Sequence, residues 1–264
     1  MKRNYLQWEG AKMSSYNSFA MVYDKFMNNV PYEEWVDYIL SIIDKYYYKK
    51  PKLMLDLGCG TGNITELLVD KGIDMIGVDN SSDMLFVAKE KARNNNRDIL
   101  YLLQDMREFE LYGTVDCIVS ICDSMNYILE EDDLLQVFRL VNNYLDPRGL
   151  FIFDLNTYYK YNNILSDNTF SETNEDSAYI WDNYYYEEEK INEYDLTLFI
   201  KDENNLYRRY TETHYQKMYD LNRIKQLIIE AGLEYIDCFE AFSFESPAET
   251  SERVYFIARE KGKQ

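Results

Sequence analysis

Residues Leu53 to Asn63 read LMLDLGCGTGN, and this pattern constrains the chain's architecture more than any other segment. A short apolar run ends in Asp56, Gly58, Gly60 and Gly62 alternate through a tight turn, and a helix is predicted to begin at once. Glycines beside a helix N-terminus present bare amides and let a ligand approach the backbone closely. A second apolar run, Met75 to Asn80, ends in Asp79, where a carboxylate accepts both hydroxyls of a ribose. A dinucleotide fingerprint needs its third glycine at position 63, which is Asn63. The G-x-G-x-G spacing therefore favours S-adenosylmethionine as the cofactor.

The flanking pattern alternates strand and helix. Asn63 is placed to cap a helix with Glu66 at its third position, and Gly72 closes it. Ser81 or Ser82 starts the next helix, Ile99 to Leu103 and Val115 to Ile121 read as buried strands, and a helix is expected from about Asp132 to Tyr144. A turn at Pro147-Arg148-Gly149 precedes a fifth strand, Leu150 to Asp154. Parallel strands need crossovers, and crossovers cover both faces, so the expected fold class is α/β, a doubly wound sheet that binds ligands at the strands' C-terminal ends. Aromatic runs at Tyr179–Tyr186, Leu196–Lys201 and Tyr207–Tyr215 read as a small antiparallel β insertion after strand five. A helix at Leu221–Glu230 and strands at Tyr235–Phe239 and Val254–Ala258 complete the sheet as seven strands. The expected division is a core of residues 1–154 and 219–264, with residues 155–218 as a lid. Upstream, Phe19, Val22, Tyr23 and Phe26, then Trp35, Val36, Ile39, Leu40 and Ile43 stand at helical spacing, with Pro31 between two helices.

Composition narrows the function. The 28 basic residues against 47 acids leave a charge of −19, a field that repels polyanions and makes nucleic acid an unlikely partner. Four cysteines (Cys59, Cys117, Cys122, Cys238) show no C-x-x-C spacing, and His214 is the single histidine, so no metal site is expected. No apolar stretch approaches the ~20 residues that span a bilayer, and MKRNYLQWEG lacks the apolar core of a signal peptide, so no membrane partner and a cytoplasmic location are expected.

With these segments in order, the chain resembles class I S-adenosylmethionine-dependent methyltransferases over nearly its whole length. Its F-A-x-V-Y-D helix, Phe19 to Asp24, and its β-lid are similar to those of small bacterial enzymes such as amino-sugar N,N-dimethyltransferases. The resemblance implies that Asp56, Gly58, Cys59, Gly60 and Gly62 hold the methionine part of the cofactor, and that Asp79, with Asn80 and Met84 beside it, holds the ribose. It implies further that Asp105 and Met106 contact adenine, that Cys122 and Asp123 lie beside the sulfonium, and that Tyr16 and Tyr23 cover the cofactor.

Several residues carry two readings. Cys59 reads as a small residue wedged in the turn rather than a reactive thiol. Asp123 also suits a helix cap. Tyr23, Asn126 and His214 are the candidate catalytic residues; Asn126 and Tyr127 serve an acceptor pocket or pack a loop, and His214 faces an acceptor or plays a structural role. Trp181 and Tyr184 belong to the lid core or touch the acceptor, and Glu187-Glu188-Glu189 reads as a solvated turn. The methyl group of a sulfonium is already activated, so alignment and exclusion of water suffice and a strong base is optional. Residues 161–215 carry 13 acids and 4 bases, a net 4 − 13 = −9, which suits a neutral or cationic small-molecule acceptor such as an amine. An RNA or protein methyltransferase, and a non-catalytic S-adenosylmethionine-binding protein, remain the alternatives, and the insertion also suits a homodimer interface.

Overall fold

The computed structural model describes Ala20, Tyr23, Asp24, Phe26 and residues 30–263. Strand β1 (Leu53–Leu57) lies between β2 (Asp74–Asp79) and β4 (Val115–Ser120), with β3 (Leu100–Leu103) outside β2 and β5 (Leu145–Asn156) outside β4, all parallel. Beyond β5 come β11 (Arg253–Arg259) and β10 (Glu234–Glu240), each antiparallel to its neighbour, giving a seven-stranded sheet.

Why the strands read as unbroken apolar runs follows from which faces they bury. Successive strand residues point to opposite faces, so a sheet covered on both sides needs apolar residues at every position. Leu55, Leu57, Ile118, Phe151, Phe153, Val254 and Phe256 pack under helices α4 (Glu131–Tyr144) and α5 (Leu221–Glu230). Their neighbours Met54, Cys117, Val119, Leu150, Ile152, Tyr255 and Ile257 pack under α1 (Tyr32–Tyr46) and α2 (Asn63–Asp70). Helix α3 (Ser82–Asn94) closes the edge through Leu85, Ala88 and Ala92 against Tyr101.

Two local expectations are corrected. Asn63 is the first residue of α2 rather than its cap: the preceding Gly62 is left-handed, φ 78°, and no side chain caps the helix. The Asn63 amide is instead taken by Asp24 Oδ1 at 3.0 Å, and its oxygen accepts from Lys91. Pro147-Arg148-Gly149 is a bulge within β5, because Val115 pairs with Leu145 and Cys117 with Leu150. A Cβ at Gly149 would come within 2.8 Å of the Asp116 carbonyl, so the bulge requires glycine. The insertion is antiparallel as expected and has four strands: β6 (Thr169–Thr173), β7 (Ser177–Tyr186), β8 (Ile191–Lys201) and β9 (Tyr207–Lys217). The sequence T-F-S-E-T of β6 has one large apolar residue and so gave no periodicity; as an edge strand it needs none.

Phe138 of α4 is fully buried against the rings of Phe151 and Phe153, with centroids 5.7 and 5.2 Å away. Phe138→Ala should lower stability by about 3–5 kcal/mol in urea titrations. A loss under about 1 kcal/mol would show that this side chain does not anchor α4 to the sheet.

Candidate functional site

The C-terminal ends of β1, β2, β3 and β4 open into a cavity of about 860 Å³, and the second sheet walls its far side. On the near side the glycine turn supplies Gly58 and Gly60, with φ of 82° and 53°. A Cβ at Gly60 would meet nothing within 4 Å, so backbone here is bared to the cavity. Gly62 is not in the wall; a Cβ there would collide with the Tyr101 hydroxyl at 2.4 Å, and its glycine is needed for packing under α3. Cys59 is buried, and burial raises its thiol pKa well above the ordinary value, which keeps it protonated.

Asp79 ends β2 with Oδ2 accepting from Gly60 N and Oδ1 from Ser81 N, both at 2.8 Å. It thereby ties the glycine turn to the start of α3, which Ser81 caps by accepting from Met84 N at 3.3 Å. Asn80 and Met84 line the cavity beside it. Asp56 is 2% exposed, and its Oδ2 accepts from the Thr65 hydroxyl at 2.6 Å. Burial raises its pKa to about 7, the Thr65 hydrogen bond works against this, and the Asp79 charge adds to it. Burial raises Asp79 too, against the amides of Ser81 and Gly60. Among the described residues no cation pairs with either carboxylate, so this half of the cavity is electrostatically prepared for a positive group.

Asp105 and Met106 line the wall after β3. The Asp105 carboxylate accepts from Arg107 Nε at 2.9 Å and from its terminal nitrogen at 2.6 Å, and these hydrogen bonds lower its pKa. A nucleobase amino group would therefore share that carboxylate with Arg107.

After β4 the chain makes a turn in which Cys122 and Asp123 are both left-handed, φ 64° and 54°. Two successive residues of this kind cost on the order of 1–3 kcal/mol each. They are held by Asp154, at the end of β5, which accepts from Cys122 N at 3.2 Å and Asp123 N at 2.8 Å. Arg253 pairs with Asp154 and, at 2.7 Å, with Asp123. Asp123 Oδ2 accepts from Gln216 Nε2 at 2.5 Å, and Gln216 accepts from the Tyr161 hydroxyl at 3.0 Å. Asp123 thus makes no side-chain cap to the short helix Ser124–Tyr127; its carboxylate joins the two sheets instead.

Of the candidate catalytic residues, Tyr23 and His214 line the cavity and Asn126 does not. Asn126 is fully buried, donating to Lys217 O at 2.8 Å and accepting from Asn156 N at 3.0 Å, so it pins the second sheet to the core. Tyr127 lines the wall and its hydroxyl meets that of Tyr194, while Trp181 lines the wall and the half-exposed Tyr184 does not. Tyr16 lies outside the described residues. Sequence reasoning missed Arg253, Trp35, Tyr32, Tyr194 and Gln216 in the wall. Arg253 left one trace, a basic residue opening an apolar strand, and its guanidinium lies 5.3 Å from the Trp35 ring centre.

Residues 54–149 match a methyltransferase domain family. A putative methyltransferase of Geobacillus sp. (strain WCH70) is 37% identical over 93% of this chain and 99% of its own. An S-adenosylmethionine-dependent methyltransferase of Clostridium acetobutylicum ATCC 824 has a solved structure that superposes with a TM-score of 0.83, at 31% identity, over 94% of this chain and 99% of that one. The chain belongs to the S-adenosylmethionine-dependent methyltransferases. The sugar N-methyltransferase KedS8 of Streptoalloteichus shares the fold over 99% of both chains, at 16% identity and a TM-score of 0.76. Among the described residues this methyltransferase has no cluster of metal-binding side chains and no helix long and apolar enough to cross a membrane. Its cofactor is S-adenosylmethionine, and the residues fit that group: bared glycine backbone, the buried Asp56 carboxylate and the part-buried Asp79 carboxylate, neither paired with a cation among the described residues, suit a ligand with hydroxyls and positive charge.

A buried carboxylate with a raised pKa costs stability once it ionises. Between the unfolded value of 3.8 and about 7 the folded state retains a proton that the unfolded chain has released, so stability falls as pH rises through that window. In ligand-free protein, Asp56→Asn should gain on the unmodified chain between pH 4 and pH 8, by on the order of a few kcal/mol in urea titrations. A difference independent of pH would contradict this environment for Asp56.

Proposed function

We propose that this methyltransferase methylates a small-molecule amine. The observation that carries the reading is the charge of the cavity wall. Six carboxylates line it (Asp56, Asp79, Asp105, Asp123, Glu130, Asp133), against three cations (Arg107, Lys160, Arg253). Each of those cations is already in an ion pair, Arg107 with Asp105 and Asp133, Lys160 with Glu252, and Arg253 with Asp123 and Asp154. A wall of this kind concentrates cations and disfavours phosphate backbones.

The roles divide by side. Asp56, Gly58, Cys59 and Gly60 hold the amino-acid end of the cofactor, Asp79 with Asn80 and Met84 the ribose, and Asp105 with Met106 the adenine. Cys122 and Asp123 form the floor beside the reacting atoms, and Tyr23 covers them. Gly62 serves this site indirectly, by letting α2 start close to α3. Residues 1–154 and 219–264 act as the cofactor-holding core, and residues 155–218 as a lid that brings Trp181, Tyr194 and His214 against the acceptor.

The cofactor supplies a methyl group already activated on a sulfonium. What remains for the protein is to hold the acceptor nitrogen in line and keep water out, and proximity of this kind contributes about 7–11 kcal/mol in well-oriented cases. Aromatic side chains of the second sheet (Tyr179, Trp181, Tyr194), of α1 (Tyr32, Trp35) and of the short helix after β4 (Tyr127) make that wall without asking for a fixed hydrogen bond at every position.

Asp79→Ala should weaken S-adenosylmethionine binding by roughly 1.5–3 kcal/mol in calorimetry with the fold intact, the usual worth of hydrogen bonds to a charged group. Unchanged affinity would remove Asp79 from the ribose. For the acceptor, labelled S-adenosylmethionine should pass its methyl to a member of a panel of small amines and not to tRNA or peptides. Label confined to the RNA or the peptides would overturn the amine reading.

A further inference from the structure

Tyr23 and Phe26 line the cavity, and Asp24, between them in sequence, does not. Its carboxylate instead gathers three elements at one point. Oδ1 accepts from the Thr61 hydroxyl of the glycine turn at 2.7 Å and from the side-chain amide of Asn63, the first residue of α2, at 3.0 Å. Oδ2 pairs with Lys91 of α3 at 2.8 Å, and the same ammonium donates to the Asn63 side-chain oxygen. Asp24, Asn63 and Lys91 thus form a closed cycle in which each side chain is bonded to the other two. Such mutual bonding fixes the carboxylate more firmly than any one of the contacts would.

The aromatic side chains on either side carry this anchorage across the cavity. Phe26 meets Tyr179 of the second sheet edge-on, with centroids 4.9 Å apart at 86°, and packs on Leu196 and Leu198. Tyr23 is raised well above the ordinary phenol pKa by burial, with Cys122, Tyr32 and Asp123 adding to the rise, so its hydroxyl lies by the turn after β4 and keeps its proton. Elsewhere the second sheet is fastened by buried groups: Asn126 is fully buried where it holds Lys217 O and Asn156 N. The side chains of Asp24 and Lys91 are 32% and 25% exposed. Water competes for their ion pair, so this fastening opens more readily than the buried ones.

We propose that Asp24 is a positioning residue for the cofactor: bonded to Thr61, Asn63 and Lys91, it seats Tyr23 and Phe26 over the core side of the cavity, and the cofactor leaves when this fastening parts. A contact made of an ion pair and hydrogen bonds can part and re-form without disturbing the packed sheet beneath it. Thr61 and Asn63 themselves line the cavity, so the fastening is built on the same turn that bares its backbone to the ligand. Its strength should appear in the rate of cofactor release more than in the rate of binding.

This inference rests on the reading that places the cofactor along Gly58, Gly60 and Asp79. Release of S-adenosylhomocysteine from the full chain can be followed by stopped-flow tryptophan fluorescence, since Trp35 and Trp181 stand in the cavity wall. Asp24→Asn keeps the shape of the side chain and removes its charge. It should release the ligand roughly fivefold faster or more, while the urea midpoint of ligand-free protein stays close to that of the unmodified chain. A merely structural Asp24 would instead lower that midpoint and leave the release rate where it was. Lys91→Met leaves the carboxylate its bonds to Thr61 and Asn63 and should also speed release. The double variant should release no faster than Asp24→Asn alone, because both changes break one pair. An unchanged rate in Asp24→Asn, or effects that add in the double variant, overturns the proposal; should Asp24→Asn not fold, an unchanged rate in Lys91→Met overturns it. Asp79→Ala, measured alongside, separates this inference from the reading beneath it. Weakened affinity there with unchanged release in Asp24→Asn refutes the fastening alone, whereas unchanged affinity there removes the cofactor from the core side and the role of Asp24 with it.

Discussion

One buried carboxylate, Asp154, holds the centre of this molecule together. It is fully buried at the end of β5, and it accepts the amides of Cys122 and Asp123 and the guanidinium of Arg253. Burying one acid there would be costly, and burial does raise its pKa, with Arg253 working against the rise. The return is a turn with two left-handed residues that no local sequence preference would support. That turn aims Asp123 at Gln216, and the second sheet is thereby registered to the core through one carboxylate with a partner on each side. Asn126 repeats the connection a few residues on, through Lys217 and Asn156. The core and the second sheet are therefore joined at the turn after β4.

The rest of the cavity follows from strand ends. Each parallel strand stops where its backbone hydrogen bonds stop, and a polar residue there either serves the turn or faces the ligand. Asp56, Asp79 and Asp105 do both: each accepts from a nearby hydroxyl, amide or guanidinium and still borders open space. Asp105 is paired with Arg107, whereas among the described residues no cation pairs with Asp56 or Asp79.

Much of this was readable in the chain. The glycine turn, Asp79 and the strand–helix alternation are local features with local causes, and the seven-stranded sheet with its antiparallel insertion follows from them. What was not readable depends on contacts far apart in sequence. Arg253 meets Asp154 and Asp123 from 99 and 130 residues away, and alone it is one basic residue before an apolar run. Asn63 has a good cap sequence, yet Gly62 takes the left-handed position and Asp24 and Lys91 take the Asn63 amide. Asn126, following strand four, suits an acceptor pocket or loop packing equally on sequence alone; its burial and its hydrogen bonds to Lys217 O and Asn156 N exist only in the fold.

A crystal structure with S-adenosylhomocysteine tests most directly whether the cavity takes the cofactor on the core side and leaves the side of the second sheet to the acceptor. The nucleoside should lie along Gly58, Gly60, Asp79 and Asp105, with its sulfur by the Cys122–Asp123 turn and facing Tyr194 and His214. Ligand bound away from the glycine turn, or sulfur turned from the second sheet, would contradict it.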